Sequence, residues 1–193
     1  MKKLIFLLII SNNGFAQINP SSFLQNTCDF KSENHKYSLG VKLKLSIPCL
    51  WKEFPVDENE EQIKFNYASG KNSISEILSI HKLPESPTPK DLNDFYSQKS
   101  LTELGQSAGT FISARKTQID GIACGEVMLK SITQFPLMKI YVYSLQYYFL
   151  YKDKMIILAF TTGSPTDNTS KQLFKFYENM FKRLSKMTKF IEK

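Results

Sequence analysis

Histidine is nearly missing from this chain. His35 and His81 are the only two in 193 residues, and neither has a cysteine or carboxylate partner at a metal-ligand spacing. Also missing are a Gly-x-Gly-x-x-Gly turn, a Walker-type phosphate loop and a His-Glu-x-x-His helix, the local signatures of dinucleotide, nucleoside triphosphate and zinc-protease chemistry. There is no internal repeat and no low-complexity tract, and 42% apolar with 22% charged residues is ordinary globular composition. These absences make a noncatalytic chain, with neither cofactor nor metal, the expectation.

A bilayer-spanning run is lacking as well. Residues 4–10 are continuously apolar, but a span needs ~20 such residues. With Met1-Lys2-Lys3 before it and Gly14-Phe15-Ala16 after it, this run reads as a signal peptide, residues 1–16, cleaved after Ala16. No cysteine follows closely enough to carry a lipid anchor. The expected location is therefore periplasmic or secreted, with no stable membrane insertion after cleavage.

Cysteine is scarce, and in an exported chain the count of three implies one bonded pair and one thiol left over. Cys28 and Cys49 are equidistant from the Ser38-Leu39 midpoint, so a turn at residues 37–40 would bring them together across a hairpin. Cys124 alternates with Ile122 and Met128 and reads as a buried free thiol. Pairing of Cys49 with Cys124 stays open as the rival, because residues 29–36 make a poor strand.

The mature chain opens with a polar stretch, residues 17–36, expected to be a flexible lead-in. Leu39, Val41, Leu43, Leu45 and Ile47 alternate as one face of a half-buried strand, ended by Pro48. Residues 63–67 and 74–81 read as a hairpin across Ser69-Gly70-Lys71-Asn72. A proline-rich connector leads to a helix capped by Thr88, with Leu92, Phe95, Tyr96, Lys99 and Glu103 at helical spacing and Gly105 as its stop. An extended run over residues 109–118 shows Thr110, Ile112, Ala114 and Lys116 on one side and Phe111, Ser113, Arg115 and Thr117 on the other. Asp120-Gly121 is a hairpin turn signal. Strands follow at 122–132, 139–151 and 155–162, the last apolar throughout as if buried on both faces. A long C-terminal helix closes the domain, with Leu173, Phe174, Tyr177, Met180, Phe181, Leu184 and Met187 as its apolar stripe.

Adjacent strands outnumber βα alternations, so the fold class is α+β: an antiparallel sheet of about six to seven strands flanked by helices. The domain spans residues 37–187, with 188–193 a basic tail. The order of elements, together with Ile47-Pro48-Cys49-Leu50-Trp51 at the end of the first strand and Asp120-Gly121 opening the meander, resembles the PsbP-like superfamily of DcrB-type exported proteins. That resemblance implies an α/β/α sandwich of noncatalytic proteins that act mainly by binding other proteins. It carries no catalytic or ligand residues across.

Two surfaces stand out as candidates. Asp57, Glu58, Glu60 and Glu61 form an acidic loop. The spacing and glycine of an EF-hand are missing there, so it reads as a solvated loop and a candidate partner contact. Tyr141, Tyr143, Tyr147 and Tyr151 share one strand face with Leu145 and Phe149. Such a face either lines a pocket for a lipid or small molecule or forms the floor of the core under the last helix, and the second reading is preferred. The formal charge of +7 gathers toward the end, at Lys171, Lys175, Lys182, Arg183, Lys186, Lys189 and Lys193. It reads as a solvated helix face, with no nucleic-acid partner expected of an exported chain.

The functional expectation is an exported, noncatalytic protein-binding domain. One version is an immunity protein that neutralises a toxin delivered to the periplasm. The alternative is a lipid or small-molecule carrier using the tyrosine face. A second alternative, an exported hydrolase, requires His81 beside a serine and an acid.

Overall fold

The computed structural model describes residues 19–55 and 61–192. The expected signal peptide and the loop acids Asp57, Glu58 and Glu60 lie outside the described residues. Within them the elements run α1 (Pro20–Gln25), β1 (Thr27–Lys31), β2 (Leu43–Pro48), β3 (Lys52–Phe54), β4 (Gln62–Ser69), β5 (Asn72–Lys82), α2 (Pro89–Phe95), α3 (Gln98–Ala108), β6 (Thr110–Ile119), β7 (Ile122–Gln134), β8 (Lys139–Tyr151), β9 (Lys154–Ser164), α4 (Asp167–Met187) and β10 (Lys189–Phe190). Seven strands form one antiparallel sheet in the order β3-β4-β5-β9-β8-β7-β6, and β1-β2-β10 form a second, smaller one. The α+β class and the antiparallel sheet of seven strands agree with the sequence pattern.

Local chemistry accounts for most boundaries. Thr88 caps α2 in a reciprocal box with Asp91, followed by Pro89 at the first helical position. Asp120 and Gly121 both adopt positive φ, 52° and 80°, the requirement of a two-residue turn joining β6 to β7. Thr166 caps α4, and Leu173, Phe174, Tyr177, Met180, Phe181 and Leu184 point inward at spacings of three and four.

Several expectations need correction. From Asn19 on, the predicted flexible lead-in is folded: α1 buries Phe23 to 1% exposure against Trp51, Tyr67 and Tyr177, and β1 pairs with β2. The predicted single helix from Thr88 is two, because Ser97 adopts an extended backbone and its side chain caps a second helix. Gly105 does not stop that helix. It lies inside α3, where an added Cβ would sit 2.6 Å from the Phe111 ring, so glycine lets α3 press on the sheet. Strand β6 carries a bulge between Phe111 and Ser113, which turns Phe111 onto the same face as Ala114. Leu39 is not in the strand: at φ 46° it forms the turn before β2 and is half exposed.

The basic tail is likewise part of the fold. Phe190 is buried against Phe149 and Tyr151, and its backbone N–H donates to Asp120 Oδ2 at 3.1 Å. Lys189 Nζ reaches Asp120 Oδ1 at 3.1 Å, Ile191 N–H donates to the Lys42 carbonyl, and Glu192 pairs with Lys42. Asp120 thus ties the C-terminus to the β6–β7 turn. Replacing Asp120 by Asn keeps a residue that tolerates positive φ but removes the charge; urea melts should show a loss of about 1 kcal/mol.

Candidate functional site

The tyrosine face is the first place to look, and α4 fills it. Tyr143 and Tyr147 are buried, at 7% and 2% exposure. Tyr143 packs on Phe174 of α4 at 6.1 Å between ring centroids, and its hydroxyl donates to Asp167 Oδ1 at 2.9 Å. Asp167 also receives Lys130 Nζ at 2.6 Å, and these two bonds hold its carboxyl below the usual carboxylate range. Tyr147 lies against Phe160, which stacks on Phe181 of α4, and burial pushes the Tyr147 hydroxyl far up. Tyr151 is half-buried beside Phe190, with its hydroxyl on the Glu192 carbonyl, and Tyr141 is half-exposed at the other end. Two of the four tyrosines are therefore core, and the four do not converge on one opening.

The other sequence candidates are also scattered. Glu61 is exposed after the undescribed part of the acidic loop. His35 contacts Glu53 at 3.2 Å and lies edge-on to Phe30 and tilted against Tyr37, while His81 is exposed near the end of β5, opposite Met155. Cys28 and Cys49 form the disulfide expected of them, with Cα atoms 5.1 Å apart. The register pairs Cys28 with Ile47, so the two half-cystines are diagonal rather than face to face. Cys124 is a buried free thiol whose pKa burial raises to about 12, which makes it a poor nucleophile.

The chain is expected to lack a Gly-x-Ser-x-Gly elbow, but Gly105-Gln106-Ser107-Ala108-Gly109 matches that pattern. A nucleophile elbow turns from a strand into a helix. Here the order is reversed, with Ser107 in the last turn of α3 ahead of β6 and its hydroxyl donating to the Leu104 carbonyl at 2.8 Å. The pattern does not build an elbow.

What the strand order does assemble lies on the opposite face of the large sheet. There α3 packs on β6 and β7, and the α2–α3 layer reaches Tyr148 of β8 and Met155 and Ile157 of β9. Beyond that layer the register aligns three rows across β4, β5, β9 and β8: Ala68, Ser73, Gly163 and Val142; then Asn66, Ser75, Thr161 and Ser144; then Lys64, Ile77, Ala159 and Gln146. Ser75, Ser144, Ala159 and Gly163 form a low floor of small side chains, while Asn66, Ile77, Thr161 and Gln146 stay half-exposed around them. Ser75 donates to Asn66 Oδ1 at 2.9 Å and Gln146 to Ser144 Oγ at 3.1 Å, with the Tyr148 hydroxyl on Gln146 Oε1. The result is a shallow trough floored by small side chains and bordered on one side by the α2–α3 layer. Its sequence trace was the alternation of Ser73, Ser75 and Ser79 with the inward Ile74, Leu78 and Ile80.

No family model matches the chain, and no curated protein matches it. Among solved structures, LpqN of Mycobacterium tuberculosis, described as involved in cell envelope biogenesis, is similar at 12% identity over 86% of this chain and 92% of its own, with a TM-score of 0.47. The Saccharomyces cerevisiae Ran-binding protein Mog1p is similar at 12% identity over 86% and 97%, with a TM-score of 0.43. A Bacteroides thetaiotaomicron protein is similar at 14% identity over 67% of this chain, with a TM-score of 0.39, and the chain spans 41% of its length.

Proposed function

We propose that this chain is an exported, noncatalytic protein-binding domain, and that the trough on the open half of the large sheet receives the partner. One observation carries the reading. The α2–α3 layer covers part of this sheet face, and the row Asn66, Ser75, Thr161, Ser144 lies beyond it. A floor of small side chains lets another backbone approach closely, and hydroxyl and amide groups satisfy its polar atoms. The packing of Tyr143 and Tyr147 under α4 supports this reading over a lipid carrier, which needs that face empty. A disulfide between Cys28 and Cys49 supports export, as does the resemblance to the PsbP-like proteins.

Within this reading, neutralising a toxin delivered to the periplasm is the narrower version, and the partner is then the toxin itself. The test is a photo-crosslinking residue at Ile77, half-exposed in the trough, compared with one at Gln172 on the exposed side of α4. A discrete protein adduct at Ile77 and none at Gln172 is expected. Equal labelling at both positions, or adducts only at Gln172, would contradict the trough as the contact surface.

A further inference from the structure

The β7–β8 hairpin outgrows the sheet that supports it. Strand β6 pairs with β7 as far as Thr110 opposite Lys130, and β9 pairs with β8 as far as Ser164 opposite Tyr141. Beyond both neighbours Thr133 with Ile140 and Gln134 with Lys139 remain paired, and Phe135 N–H closes the end on the Met138 carbonyl. Three extended steps from Tyr141 to Met138, at about 3.3 Å each, give a ribbon that projects roughly 10 Å.

The composition of this projection is opposite to what exposure favours. Leu137 at its apex is 96% exposed, Ile132 is 54% exposed, Met138 is 36% exposed, and Pro136 is exposed beside them. Leu137 is the apex and Met138 lies on the face away from α4, while the α4 face at the tip carries the polar pair Gln134 and Lys139, with Ile132 farther back opposite Tyr141. An exposed apolar apex edged by a cation rather than an acid is the pattern of an element that enters a membrane interface. The charge around the tip fits the same occupant. The exposed Lys139 sits beside the turn, opposite Gln134; Asp167, at the hairpin's base, already holds Lys130; and the exposed Lys171 lies one turn into α4. No acidic residue occurs between Ser131 and Ile140.

We propose that the β7–β8 hairpin tip is a shallow, reversible anchor for an anionic lipid surface, with Leu137 and Met138 entering the interface and Lys139 beside them on the headgroups. A projection of roughly 10 Å matches the 5–10 Å depth at which amphipathic elements sit in such an interface. This contact is independent of the trough, which lies on the sheet itself. It would hold the domain at a membrane without a spanning helix; among the described residues no helix is long and apolar enough to cross one.

The test is flotation of the purified protein with vesicles containing phosphatidylglycerol, against vesicles of phosphatidylcholine alone, at low and high salt. The protein is expected to float with the anionic vesicles at low salt and to be released by salt. The Leu137→Ser, Met138→Ser double variant should bind roughly tenfold more weakly or worse, the effect of losing one buried large apolar side chain. Because both positions are exposed, its melting temperature should match the parent. In a Leu137→Trp variant the added indole emission should shift to the blue on anionic vesicles, whereas Thr161→Arg in the trough should leave flotation unchanged. Equal binding by parent and double variant, or no binding by the parent, would overturn the anchor. So would a double variant that loses a protein adduct while vesicles are ignored, which would make the tip a protein contact.

Discussion

Replacing Glu76 by methionine is expected to stabilise this protein at pH 7. Glu76 lies on the α4 face of β5, opposite Phe65 on one side and Phe160 on the other, and is 1% exposed. Its Oε2 is sealed from solvent and has no hydrogen-bond partner among the described residues. Burial raises its pKa well above the ordinary glutamate range. The native state therefore keeps the proton that the unfolded chain releases. Stability is at its fullest below the unfolded carboxyl's pKa and falls as pH rises from there toward the raised folded value. An unsatisfied buried polar group costs about 1–3 kcal/mol, and an apolar replacement of similar size removes that cost. Urea melts at pH 5 and pH 7.5 should show the parent losing stability between them and the Glu76→Met variant holding level, with a gain of about 2 kcal/mol at the higher pH. A destabilised variant with the parent flat across that range would show that the carboxylate has a partner.

Opening the Cys28–Cys49 bond is the change expected to cost most. The bond closes a loop of 21 residues separation that includes β1, the turn before β2, and β2 itself. In the chain-entropy model, closing a loop of that length contributes about 3 kcal/mol. The bond also holds α1 and β1 against the core, since Phe23 reaches Trp51 and Tyr177 only when that segment docks. A Cys28→Ser, Cys49→Ser double variant should lose about 3 kcal/mol in denaturant melts, and amides of β1 should lose hydrogen-exchange protection before those of β8. Cys28 is exposed, so mild reductant should reproduce the effect on the parent, while buried Cys124 stays unmodified by an alkylating reagent until global unfolding. Protection lost evenly across both sheets would contradict a local role for the bond.

The parts of this fold legible in the sequence are those written by local chemistry. Strand β8 runs over the residues that alternation assigned to it, because Tyr141, Tyr143, Tyr147, Phe149 and Tyr151 in a period-two pattern admit no helical reading. The Asp120-Gly121 turn acts through its own backbone, and the Thr88 cap through its side chain on the Asp91 N–H three residues on. Phe23 and Phe190 were hidden because neither belongs to a period-two or helical apolar stripe, and only tertiary docking on Trp51 or Phe149 reveals them. The division into two sheets was hidden too: β2 has the alternation of a central strand, but its neighbours are β1 and β10, from the two ends of the described chain.

The trough was illegible for a related reason. Ser75, Thr161 and Ser144 are far apart in sequence, and become neighbours only through the order β5-β9-β8. The tyrosine stripe drew attention because it is contiguous, and contiguity there served the core. Small residues on a strand carry little periodic signal, so a surface made of them shows itself only once the strands are paired.

The most direct measurement of the central reading is the affinity between this protein and the partner captured at Ile77, compared by calorimetry for the parent, Thr161→Arg and Gln172→Arg. Thr161 sits in the middle row of the trough and Gln172 on the exposed side of α4. An arginine in the trough should weaken binding by roughly tenfold or more, since it puts an unpaired charge where a backbone must approach. The same residue on α4 should change nothing. Affinity unchanged by Thr161→Arg, or lost through Gln172→Arg, would place the partner elsewhere and contradict the account.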